Sequence, residues 1–450
     1  MYLNKMNMKT TNNIFRNAAI VALLISPFLS VAQDATKIED GVKTRISNLR
    51  PYDQSGINVF EAPKDQNAPF DGLKVRFGAG FTQSFQNLKH ENTSTVPANA
   101  LYKITPGFNT ANANLFMDVQ LADGIRLNLT SYLSSRHHNE TWVKGGYIQF
   151  DKLPFKGETW DKIMKIATVK IGHMEINYGD QHFRRSDGGG TIYNPFIENH
   201  IMDQFTTEIG GEVYLRQNNF TGMIGITNGM IKGNIDELVP TPQDANIHKS
   251  PAFYFKGAFD KQLNTDVRLR LAASYYTNNS SGGNTLFSGD RTGSNYFMVM
   301  EKIGSTNTAN FTSGRFSPGF SKEIHTAQFN AFLKVQGFEL FGTYEVANGR
   351  TKAETDNRDA NQFALEGVYR IGSKENLFIG ARYNKVDARL AGMTSDVSID
   401  RTSLAAGWFL TRNILLKGEY TNQKYTDFLA TDQRNGGKFN GYVIQAVVGF

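Results

Sequence analysis

From Leu73 onward one pattern recurs along the chain: apolar and polar residues alternate with period two. Leu73, Val75, Phe77, Ala79 and Phe81 alternate with Lys74, Arg76, Gly78, Gly80 and Thr82. Leu115, Met117, Val119 and Leu121 lead to Asp123-Gly124, and Ile125, Leu127 and Leu129 follow. Asp-Gly between two alternating runs predicts a β-hairpin. The same alternation runs through 169–171, 209–215, 253–259, 267–273, 329–335, 338–342, 363–369, 377–383, 404–410 and 414–420, with weaker strands at 141–150 and 219–228. The chain finishes on Tyr442, Ile444, Ala446, Val448 and Phe450, a last apolar stripe. Residues 33–70 carry no periodicity and read as a polar periplasmic lead-in.

Connections alternate in length. Short ones fall near 123, 217, 263, 336, 373 and 412; long ones cover 86–112, 175–206, 229–250, 278–324, 348–360, 387–399 and 423–439. Short turns on one side and long loops on the other are the pattern of an outer-membrane barrel. Two connections depart from it, a long inner turn at 151–165 and a short outer loop at 136–140. The apolar runs number seventeen if 295–302 is included. A barrel with both termini in the periplasm needs an even number, so 295–302 is assigned to an outer loop. The expectation is an all-β transmembrane antiparallel barrel of sixteen strands over 71–450, wide enough for an aqueous channel.

The N-terminus agrees with export. Lys5, Lys9 and Arg16 precede the apolar run Ala18 to Leu29, and Ser30-Val31-Ala32 supplies small residues for cleavage. Residues 1–32 therefore read as a signal peptide, too short in its apolar part to span a bilayer. Removing it lowers the net charge from +6 to +3, which argues against a nucleic-acid partner. The chain has no cysteine, 42 glycines, 33 phenylalanines and only 12 prolines. That composition suits a barrel in which every second residue faces lipid.

If the apolar residues face lipid, the lumen residues follow. The inward basic set is Lys74, Arg76, Arg126, Lys170, Arg216, Lys256, Arg268, Arg270, Lys334, Arg370, Arg382, Arg401 and Lys417. The inward acids are Asp118, Glu208, Glu212, Glu339, Glu345, Glu366 and Glu419. An excess of basic residues favours small anions. Loop 175–206 carries His182, Arg184, Arg185, Asp187 and Gly188-Gly189-Gly190. Folded inward, it would narrow the pore and set Arg184 and Arg185 as an eyelet, since guanidinium forks match phosphate and carboxylate. Facing outward, it would meet lipopolysaccharide or a neighbouring subunit.

Several segments resemble the phosphate-selective porin O and P family, in its Bacteroidetes-type form. They are Val169-Lys170-Ile171-Gly172-His173-Met174-Glu175 with Tyr178-Gly179, Gly225-Ile226-Thr227-Asn228-Gly229, Asp400 to Phe409, and Lys417-Gly418-Glu419-Tyr420. The lead-in segments Gly56 to Glu61 and Phe70 to Val75 look similar as well. The resemblance implies a sixteen-stranded, usually trimeric anion channel whose phosphate selectivity rests on lumen arginines and lysines. The lumen acids do not belong to that ladder.

Other chemistry is poorly supported. A barrel enzyme would gather His, Ser or Asp at the outer rim, yet His137-His138, His173, His182 and His200 are scattered. Adjacent histidines on a strand point to opposite faces, which disfavours a metal site at 137–138. No phosphate-binding Gly-Lys-Ser/Thr loop occurs. The lead-in is too short for the plug of an energised transporter, and a secreted adhesin would need no lipid-facing stripe. The expected function is a passive outer-membrane porin preferring anions, without catalytic residues, metal or cofactor. The alternatives are a barrel enzyme or a non-conducting structural or adhesive barrel.

Overall fold

The computed structural model describes residues 46–450, apart from 66, 67, 69, 135, 137–139, 156, 234 and 246. The expected signal peptide, the start of the lead-in (33–45) and His137-His138 lie outside the described residues. One sheet contains seventeen strands. In chain order they are β1 (Lys74–Glu91), β2 (Gly107–Phe108), β3 (Asn112–Ala122), β4 (Ile125–Leu133), β5 (Trp142–Phe150), β6 (Ala167–Glu175), β7 (Thr207–Gln217), β8 (Phe220–Thr227) and β9 (Ala252–Gln262). They continue with β10 (Val267–Asn278), β11 (Glu323–Val335), β12 (Phe338–Arg350), β13 (Arg358–Ile371), β14 (Leu377–Arg389), β15 (Asp396–Thr411), β16 (Ile414–Thr426) and β17 (Lys438–Gly449).

β2 is a two-residue ribbon beside β1. The other sixteen strands form an antiparallel meander, β1 pairing directly with β3. β17 returns to β1 in register from Gly80↔Gly449 to Glu91↔Lys438, and the cylinder closes. Closure matters energetically, because an open sheet edge in hydrocarbon would strand backbone donors and acceptors. The chain is an outer-membrane barrel with sixteen spanning strands, as the alternation predicts. Residues 295–302 carry no strand.

The turns follow their residues. Gly124, Asn218 and Gln336 hold positive φ (72°, 55° and 52°) in the two-residue hairpins, the conformation that hairpin twist requires. The long inner connection at 151–166 holds a short helix, α1 (Glu158–Met164). The sides of the wall also follow the pattern. Phe77 is 63% exposed and Leu404 57%, whereas inward Asp118, Glu366 and Arg382 are buried. Side chains that would be errors on a soluble surface meet lipid here.

The interior is not empty. Loops 176–206 and 279–322 both fold inside the cylinder, and Phe196, Ile197, Ile201, Met202 and Val299 are fully buried. Ile192, Tyr193 and Phe196 pack on inward Val368, Phe378, Phe409, Leu415 and Val447. Tyr296 and Val299 belong to a second cluster with Val397, Ile399, Phe439 and Val443. Burying each such side chain is worth roughly 1.5–3 kcal/mol, which offsets the cost of ordering the loops. One expectation needs correction. The lead-in does not stay in the periplasm along its length: residues 46–65 enter the barrel mouth. Lumen groups there satisfy it. Asn58 donates to Glu339 at 2.5 Å, Tyr52 donates to Asp118 at 3.0 Å, and Lys64 donates to the Asp151 carbonyl at 2.9 Å.

Candidate functional site

A loop inside a barrel brings unpaired backbone groups with it, and each needs a partner. The wall from β9 to β16 supplies them to loop 176–206. Lys417 donates its ammonium to three loop carbonyls, of Thr191, Asn194 and Phe196, at 2.7–3.0 Å. Arg401 donates to the Asn199 carbonyl at 2.8 Å and to the Gln423 side chain at 2.7 Å. Arg382 donates to the Glu198 carbonyl at 2.6 Å and pairs with Glu366. Arg270 grips Asp180 with two nitrogens at 2.7 and 2.8 Å, and Lys256 reaches Asp180 at 2.8 Å. Acids serve the opposite need: Glu419 accepts from the Ile197 N–H at 2.9 Å.

What stays open lies on the other side. A cavity of about 280 Å³ separates β3–β7 from the loop and the lead-in. Strand residues Asn114, Phe116, Asn128, Lys144, Tyr147, Lys170, Glu175, Tyr214 and Arg216 line it with Arg50, Tyr52, Glu61, Arg185, Asp187 and Tyr193 of the lead-in and loop. A second cavity of about 180 Å³ shares Asn48 with it and sits by the inner turns, among Lys64, Arg126, Asp151 and Lys165. Along β7 Arg216 lies near the periplasmic turn, and Glu212 sits opposite Lys170 one rung above Tyr214.

The charges in the large cavity are unequally paired. Its acids are engaged: Glu61 is paired with Arg270 at 2.8 Å and Asp187 with Lys144 at 2.9 Å, and Glu175 shares a 2.7 Å hydrogen bond with the His182 ring. Lys144 also holds Asp290 of loop 279–322 at 2.6 Å, tying the two loops to β5. Burial alone would raise the Asp187 carboxyl, but Lys144 and Arg185 hold it below its ordinary value. Burial and the neighbouring Asp187 raise Asp290. The cations include three of a different kind. Lys170 lies over two rings, its Nζ 4.9 Å from the Tyr147 ring centre and 5.1 Å from that of Tyr214. The Arg216 guanidinium lies 5.0 Å from the same Tyr214 ring, and its buried Nε has no hydrogen-bond partner. Arg50 sits 3.7 Å above the Tyr193 ring and donates only to the carbonyls of Gly56 and Phe183. No ion pair joins any of these three to an acid among the described residues.

The residues expected in the pore therefore divide. Lys170 and Arg185 line the large cavity, and Arg126 the second one. Lys256, Arg270, Arg382, Arg401 and Lys417 face inward but are sealed beneath the loop they anchor. Arg268 pairs with Asp260 at 2.7 Å, Lys334 with Glu375 at 2.7 Å, Lys74 with Asp71 at 2.6 Å, and Arg76 with Asp118 at 2.5 Å. Arg370 pairs with Glu339 at 2.7 Å. The two eyelet candidates separate as well. Arg185 is on the cavity, held by Asp203 at 2.6 Å. Arg184 points away from it into the wall, 1% exposed, bonded to Asn58 at 2.6 Å and Glu366 at 3.3 Å. The helical turn ends at Arg184 and the backbone is extended at Arg185 (φ −81°, ψ 154°), so the two side chains diverge.

Two cavity cations were absent from the expected set. Lys144 lies at a bulge, where Thr130 pairs with Gly145 and Ser131 with Val143. The bulge shifts the alternation by one residue and hides the facing of β5. Arg50 belongs to the aperiodic lead-in, where no local pattern marks a lumen residue.

No protein-family model matches the chain, and no curated protein matches it. Solved structures do. The anion-selective porin from Comamonas acidovorans superposes with a TM-score of 0.52 at 10% identity, covering 84% of this chain and 100% of that one. OmpT of Vibrio cholerae gives a TM-score of 0.48 at 10% identity, over 85% of this chain and 99% of its own. At 10% identity the first likeness shows the fold alone, a closed outer-membrane β-barrel.

Proposed function

We propose that this barrel is a passive channel for small hydrophilic solutes, with the route along β3–β7 and a preference for anions. One observation carries the reading: Arg50, Lys170 and Arg216 face the cavity without an acid partner, whereas the cavity's acids are all engaged. Rings of basic residues favour anions in a pore. Arg185, with its charge partly offset by Asp203 and Asp187, is the constriction residue of this proposal. The sequence resemblance extends it to phosphate among those anions and to a homotrimer.

The test is reversal potential across a planar bilayer under a potassium chloride gradient. A unit charge about 5 Å from the path is worth about 0.8 kcal/mol at the dielectric of water, or about fourfold in local anion concentration. Lys170→Met should lower the local chloride concentration about fourfold, and Lys170→Met with Arg216→Met about fifteenfold, with the chloride-to-potassium permeability ratio falling at least as far. An unchanged ratio in the double variant would remove the anion preference. Absence of any conductance from correctly folded protein would remove the channel.

A further inference from the structure

The unpaired cations of the cavity do not stand alone; they stand on aromatic rings. Lys170 and Arg216 share the Tyr214 ring, and Tyr147 lies beyond Lys170. Two like charges on one ring repel unless an anion joins them. Three acids lie nearest to that pair. Glu212 sits opposite Lys170 across β6 and β7, but it accepts from the Asn177 N–H at 2.8 Å, the Tyr214 hydroxyl at 2.6 Å and the Tyr254 hydroxyl at 3.1 Å. Glu61 is held by Arg270, and Asp151 by Arg126 at 2.6 Å. The pair is therefore left with donors to spare, Arg216 Nε among them.

Two more rings line the same cavity, together with the side-chain amides of Asn114 and Asn128. Tyr52 and Phe116 stack with ring centres 4.1 Å apart and planes within 8°. The volume of about 280 Å³ is near the lower end of small-molecule sites. A bare inorganic ion would use the two cations and leave the rings idle.

We propose that this cavity is a binding site for an aromatic carboxylate, with Lys170 and Arg216 taking the carboxylate and the rings of Tyr147, Tyr52 and Phe116 taking the aromatic body. The proposal deepens the channel reading and rests on it for the route by which the solute arrives. Guanidinium geometry suits a planar carboxylate, and ring against ring adds affinity beyond area alone.

Two measurements separate the site from the channel. Calorimetric titration of the folded, detergent-purified protein with benzoate, acetate and inorganic phosphate reads the site. Single-channel recording in potassium chloride reads conduction. Benzoate should bind about tenfold more tightly than acetate or phosphate. Tyr147→Leu should narrow that advantage, benzoate losing more affinity than phosphate, and Lys170→Met should weaken all three anions. Folding of each variant is checked by its heat-modifiable migration. If wild-type protein binds the three anions equally, or binds none, the site is overturned whatever the variants do. Benzoate binding in a barrel that carries no current would keep the site and sink the channel. A chloride current without preference for benzoate would do the reverse.

Discussion

Arg382 is the most informative single residue for testing how the lumen loop is held. Its guanidinium pairs with Glu366 at 2.8 Å, donates to the Glu198 carbonyl at 2.6 Å and reaches Asn194 at 3.2 Å, all fully buried. Arg382→Met keeps much of the volume but strands Glu366, whose remaining partners are Arg184 and His200, both at 3.3 Å. Removing one member of a buried ion pair costs about 3–5 kcal/mol, because the other charge stays desolvated. If that cost falls on the docked loop, its opening equilibrium rises roughly 150- to 5,000-fold. Hydrogen exchange read by mass spectrometry would show it at three loop amides. Ile197 donates to Glu419, Ile201 to Asn384 and Met202 to Gln362, so their protection reports docking. Adding Glu366→Gln should restore more than half of the lost protection, since the stranded charge is gone. Unchanged exchange in Arg382→Met, or no rescue by the second substitution, would refute the view that these wall charges fasten the loop.

Two further outcomes are expected. Asp203 is buried, which alone would raise its carboxyl, but Arg185 and Arg315 hold it below its ordinary value. Its contribution is therefore present above about pH 4 and lost as pH falls through the depressed value. Protection of loop 176–206, corrected for intrinsic exchange, should hold from neutrality to about pH 4 and decline only below it; an onset above pH 5 would assign the loss to another group. On the outer face, Leu404→Arg places a charge in the middle of β15 against lipid, and should cost about 2–4 kcal/mol in urea unfolding from vesicles. An unaltered midpoint would mean that Leu404 does not face hydrocarbon.

Lys170 and Lys417 show where sequence reasoning stops. Both are inward lysines on strands of clean alternation, and nothing near either distinguishes them. Lys417 is capped by three carbonyls that lie more than two hundred residues away in the chain. Lys170 lies over the rings of Tyr147 and Tyr214. The same holds for Arg184 and Arg185, neighbours in sequence that the loop fold sends to different surroundings.

By itself, the order of amino acids determined the barrel: its strand number, the facing of nearly every strand, its hairpins and its long loops. Those features are local, because lipid and water sort side chains at a period of two, and turn residues act within four positions. Only the tertiary structure decided which inward charges are spent on the loops and which remain for a solute. That choice depends on partners distant in sequence, on a bulge at Lys144 and on a lead-in without periodicity, none of which leaves a local trace.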